Sequence, residues 1–144
     1  MPVEVILAAG AIPVDLNNLF VSDAEPLSLV SIAEKAGFPL NTCAWIKGIY
    51  GATLKYGIQE VICVTGGDCS NTLMLMEVLR HRGVKTIPFA YPAAPDEGQV
   101  AATIGRLAIE LGATVEAARE LLEEGTYGFW RVAASATPAR EAFS

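Results

Sequence analysis

The stretch Val61-Ile62-Cys63-Val64-Thr65-Gly66-Gly67-Asp68-Cys69-Ser70-Asn71, set between Gly57 and Gly83, decides how the chain is read. A short β-branched run bounded by turn residues predicts a buried parallel strand, and Leu73, Met76 and Leu79 follow at helical spacing. The order is strand, glycine loop, helix. Gly66 and Gly67 allow a sharp turn without a Cβ clash, and Asp68 or Ser70 can cap the helix by accepting an early backbone N–H. This places Cys69 in the first helical turn, where orphan N–H groups and the positive end of the dipole suit a thiolate. The sulfur is then either a metal ligand or nucleophile at a strand tip, or a small residue filling a tight turn.

Toward the N-terminus, Pro2 at a first helical position, Gly10 past the end and Pro13 beyond it predict a short helix over 2–9. A strand is expected at 12–16 and a loop at 17–22, with a further strand possible at 19–21. Asp23 and Pro26 open a helix that Gly37 and Pro39 end. Asn41 or Thr42 caps the next, which carries Cys43, Ile46, Ile49, Tyr50 and Leu54 and closes at Gly57. Inside it, Gly48 and Gly51 each cost about 1 kcal/mol relative to alanine, so they serve the close approach of a neighbouring backbone or a ligand.

Toward the C-terminus, a strand is expected near Thr86 to Ala90, with Pro88 marking an edge or an irregularity. Asp96 caps a helix that Gly112 stops, and Thr114 caps a last one through Leu122. Strands separated by helical stretches predict an α/β fold, a three-layer sandwich with a small parallel sheet, Rossmann-like. Residues 1–125 are read as a single α/β domain and 126–144 as a C-terminal extension or tail.

The chain has 144 residues, 52% of them hydrophobic and 18% charged, which favours a partner or an oligomer. A net charge of −6 and the lack of a basic stripe argue against nucleic acid. Apolar windows end well before the ~20 residues needed to cross a bilayer, and no basic n-region precedes an apolar one. A cytoplasmic, membrane-free protein is expected. Three cysteines without disulfide-type spacing fit a reducing compartment.

Cys43 and Cys69 each follow a polar residue and open a helix, so both sulfurs are expected at one edge of the sheet. Two thiolates there suit a soft metal or an iron-sulfur cluster. Cys63, inside the strand, reads as core, His81 as a surface residue in the last turn of its helix, and Trp45 and Lys47 as a core aromatic and a solvated lysine.

The opening Pro2-Val3-Glu4-Val5-Ile6-Leu7-Ala8-Ala9-Gly10-Ala11-Ile12-Pro13-Val14 resembles the start of the 2-hydroxyacyl-CoA dehydratase and benzoyl-CoA reductase subunits. The likeness continues in Asn41-Thr42-Cys43 before a helix, the strand ending at Asp68-Cys69, the Ile87-Pro88 strand, and Ile104 to Leu122 with its Leu111-Gly112 break. The resemblance implies two Rossmann-like domains per subunit and a cysteine-held, oxygen-sensitive iron-sulfur cluster. It further implies an ATP-dependent activator that injects an electron and a CoA thioester substrate that passes through a ketyl radical. By matching motif, Cys43 and Cys69 are two of the cluster ligands. In the family a further ligand comes from a second domain, so the resemblance implies a homo-oligomer or partner subunit that supplies the rest. The Gly66-Gly67 pair and the stretch after Gly125 have no counterpart in it. The catalytic residues stay open. Two other readings use the same residues: a non-catalytic partner or small-molecule binding module with both thiols uncommitted, and an enzyme with Cys69 as nucleophile.

Overall fold

The computed structural model describes residues 1–66 and 69–123. They form seven helices and two strands in two compact units, one spanning Val14–Ala93 and the other joining Met1–Pro13 to the chain from Ala94 onward. Residues 126–144, read from the sequence as an extension, lie outside the described residues.

The unit Val14–Ala93 holds α2 (Leu16–Ser22), α3 (Pro26–Lys35), α4 (Ala44–Lys55), β1 (Glu60–Gly66), α5 (Asn71–His81) and β2 (Lys85–Ala90). The other unit holds α1 (Val3–Ala8), α6 (Glu97–Leu111) and α7 (Val115–Glu123), and these three pack on one another. The ends of α6 follow its local sequence. Asp96 accepts from the Gln99 N–H at 2.9 Å, Gly112 takes the left-handed φ of 72° that stops the helix, and Thr114 caps α7 by accepting from the Ala117 N–H.

β1 and β2 are parallel, with Val61 beside Thr86, Ile62 beside Ile87 and Cys63 beside Pro88, and α5 packs on both. Val61, Cys63, Ile87 and Phe89 are buried, which explains the β-branched and aromatic content of these strands. Pro88 has no N–H to donate, and among the described residues β2 has one neighbouring strand, the edge setting in which proline is tolerated. The α/β class with a small parallel sheet therefore stands. The described residues supply two strands of it, and the three-layer, Rossmann-like arrangement goes beyond them.

The expected strand at 12–16 is absent, and α2 occupies the stretch read as a loop with a hidden strand. The cause is local. The Asp15 carboxylate accepts from the backbone N–H groups of Asn17 at 2.8 Å and Asn18 at 3.4 Å, so a helix starts at Leu16. Ile12 is 76% exposed and gains nothing from a strand.

α4 is the centre of this unit. Ile46 and Tyr50 join Phe38, Val61, Cys63, Leu75 and Leu79 in the core, and the other side of α4 lies against α2 and α3. The two internal glycines make that packing possible. A Cβ on Gly51 would run into the Leu29 carbonyl of α3, and one on Gly48 into the Phe20 ring of α2. They serve helix packing. The C-terminal end of α4 is tied down by a buried carboxylate. Asp23 accepts from Lys55 Nζ at 2.7 Å, Tyr56 Oη at 2.7 Å and the Glu25 N–H at 2.8 Å. Burial alone would raise its pKa, but these donors outweigh burial and hold it at about 2, below the ordinary 3.8.

Gly51→Ala is expected to destabilise the protein by about 3 kcal/mol in denaturant unfolding, because a backbone carbonyl cannot yield as a side chain can. Gly48→Ala costs less, since the Phe20 ring can tilt. Because the folded Asp23 pKa lies below the unfolded one, its stabilisation is complete above pH 3.8 and is lost as pH falls toward 2. The stability advantage of wild type over Asp23→Asn, measured by denaturant unfolding across this range, is expected to shrink by about 2 kcal/mol.

Candidate functional site

Cys43 is delivered by the loop between α3 and α4. Gly37 turns the chain out of α3 with a left-handed φ of 102°, and Phe38 goes back into the core with its ring 4.8 Å from that of Tyr50. Pro39 accepts from the Thr42 N–H at 3.0 Å, which closes a turn just before the cysteine. Cys43 itself is the N-cap residue of α4, a place expected for Asn41 or Thr42, and its side chain makes no capping bond. It is exposed.

Lys47, one turn further on, is not the solvated lysine expected from its charge. Its side chain is 4% exposed, and its ammonium donates to Glu34 Oε1 at 2.6 Å and to the Leu40 carbonyl at 3.1 Å. Trp45 is half-exposed rather than a core aromatic. Its ring edge meets Phe20 at 5.5 Å, and its Nε1–H donates to Asn17 Oδ1 at 2.6 Å.

Cys69 follows β1, one residue before the Ser70 N-cap of α5, and so lies outside the helical turn expected for it. Ser70 adopts helical angles and its side chain makes no capping bond, so the last backbone before α5 is organised by main-chain turns. The Thr72 N–H donates to the Cys69 carbonyl at 3.1 Å and the Leu73 N–H to that of Ser70 at 3.2 Å. Asp68, the other expected cap, lies outside the described residues. On the β2 side, the Tyr91 N–H donates to the Gly66 carbonyl at 3.3 Å, and a Cβ on Gly66 would stand 3.0 Å from that of Ala90. Glycine at 66 therefore lets the ends of the two strands close together.

Each cysteine lies just ahead of a helix, Cys43 before α4 and Cys69 before α5, and α4 leads into β1 through the four residues 56–59. Ile46 and Tyr50 of α4 share the buried core with Val61 and Cys63 of β1. Leu40, Trp45, Leu73 and Tyr91, from the chain around the two cysteines and just after β2, are exposed.

Cys63 is not exposed as Cys43 and Cys69 are. It is 3% exposed within β1, and burial pushes its thiol pKa up to about 11 despite the nearby Arg80 charge. His81 is exposed at the end of α5, as expected. No group of three or more His, Cys, Asp or Glu able to hold a metal ion occurs among the described residues, so they offer thiols but not a complete ligand set. Sequence reasoning missed Lys47 and Asp23. The signal for Lys47 was present: it is the one charge within the otherwise apolar run Ala44–Leu54.

Comparison with known proteins bears on what the two exposed thiols are for. The family model described as 2-hydroxyglutaryl-CoA dehydratase, D-component, matches residues 1–126. No curated protein and no solved structure matches the chain.

At neutral pH a thiol reagent is expected to label Cys43 and Cys69 in the folded protein and to spare Cys63 until denaturant is added. Mass spectrometry of the alkylated protein before and after unfolding checks it.

Proposed function

This chain belongs to the 2-hydroxyglutaryl-CoA dehydratase D-component family, and from that premise we propose that it is an iron-sulfur-binding component of a 2-hydroxyacyl-CoA dehydratase. Cys43 and Cys69 are two of the cluster ligands, and a second chain, whether another copy or a partner subunit, supplies the others. What supports the reading is the family match together with two exposed thiols, each just ahead of a helix, in a chain whose third cysteine is buried. Thiolate sulfur is the donor that iron-sulfur clusters take, so the residues fit the group.

When bound, the cluster supplies one-electron transfer to the substrate, a CoA thioester of a 2-hydroxy acid. The chain's own residues hold and shelter it. The α3–α4 loop and the end of β1 present the sulfurs, and Leu40, Trp45, Leu73 and Tyr91 make an apolar border. Once covered by a second chain, such a border excludes water from the site. The βαβ step β1–α5–β2 is then one part of a Rossmann-like layer. A second reading, a binding module with uncommitted thiols, draws on the incomplete ligand set among the described residues.

Anaerobic purification followed by an iron assay and a visible spectrum separates the two. The expected result is a brown protein whose iron and broad visible absorption are largely lost in Cys43→Ser and in Cys69→Ser, with an oligomer by size-exclusion chromatography. A colourless protein with two readily alkylated thiols selects the binding module instead.

A further inference from the structure

The buried lysine of α4 has no part in the function proposed above, and its contacts single out one segment. Lys47 grips the chain before Cys43 through its side chain. Its ammonium donates to the Leu40 carbonyl at 3.1 Å, while its backbone N–H makes only the ordinary first helix bond, to the Cys43 carbonyl at 3.2 Å. Glu34 of α3, 32% exposed at its side chain, holds the same ammonium at 2.6 Å. Residues 40–43 are thus fastened at Leu40 by this side chain and at Cys43 by the start of the helix.

A lysine is an expensive way to fill this place. Removing an ammonium from water costs several kcal/mol even with a good partner, and an apolar side chain of similar length would fill the volume without that cost. Glu34 accounts for the charge. It does not account for the second contact, which is directed at a loop carbonyl that a methionine would leave unbonded.

We propose that Lys47 is a positioning residue for Cys43: its ammonium fixes the Leu40–Thr42 backbone so that the thiol is presented in one geometry. The inference rests on the reading of Cys43 as a ligand and adds the residue that makes it a competent one. A two-thiol grip on a shared ion needs both sulfurs held at a fixed separation, and Cys69 already has its own support in the turn that starts α5.

The test uses the full chain as wild type, Lys47→Met, and the paired variant Lys47→Met with Glu34→Gln, which leaves no unmatched carboxylate. Two measurements are made on each: hydrogen exchange resolved along the sequence, and titration of the metal-free protein with cadmium, followed by the cadmium–thiolate charge-transfer band. Loss of a hydrogen bond from a charged donor predicts that the Thr42 amide exchanges about tenfold faster or more in both variants, with β1 and α5 unaltered. Cadmium affinity is expected to fall about tenfold in both, and Cys43→Ser to abolish tight binding. Acceleration that is uniform along the chain, absent, or cured in the paired variant overturns the proposal, as does cadmium affinity equal in all three. If wild type binds no cadmium, the ligand reading fails on its own, and local exchange at Thr42 still decides whether Lys47 holds the loop.

Discussion

The approach of α4 to α3 at Gly51, where the helix backbone meets the Leu29 carbonyl with no side chain between, is the constraint on which the Val14–Ala93 unit depends. Helices at ordinary distances are kept apart by side chains and can slide or rotate by small amounts. Backbone contact removes that freedom. With α4 fixed, Ile46 and Tyr50 join the core that holds Val61 and Cys63 of β1, and Gly48 receives the Phe20 ring. The position of Cys43 is therefore a consequence of packing a full turn or more away from it.

The two ends of α4 are held by ion pairs of different character. At the C-terminal end, Asp23 is the buried partner and Lys55 the exposed one, and three donors converge on the carboxylate. At the N-terminal end, the burial is reversed: Lys47 is enclosed and Glu34 is partly open. A buried carboxylate with several donors pins the chain to a single point. A buried ammonium, with its three hydrogens pointing apart, can bridge two separate segments, here α3 and the loop leading to Cys43. The second arrangement is the one found beside the candidate ligand.

Most of the local structure was legible because local chemistry specifies it. Asp96, Gly112 and Thr114 bound α6 and α7 as their residue types require, and the β-branched run at 61–64 became a parallel strand, with Val61 and Cys63 buried and Ile62 and Val64 half-buried, not the fully buried strand expected. The errors share a cause. Val14 and Leu16 favour a strand by type, yet Asp15 between them starts a helix by accepting two N–H groups, a bond that composition does not display. Lys47 reads as solvated until α3 and its loop are folded over it. Cys69 was misplaced by two residues because Ser70 takes helical angles without its side chain capping anything. Each depends on where a neighbouring backbone lies.

The separation of the three thiols is itself informative. Cys63 is in the strand that precedes Cys69, but it is buried in the core, and burial lifts its pKa to about 11, which keeps the thiol protonated at neutral pH. The remaining two are outside the core and on segments whose backbone is held by main-chain turns. A thiol that only fills space has no need of a bonded scaffold, and exposure would be a liability to it through oxidation. Exposed sulfurs on braced backbone suit the proposed half-site that another chain would close. In that proposed assembly, covering them would remove the oxidation hazard and complete the coordination in a single step, which would couple assembly of the protein to assembly of the proposed cluster.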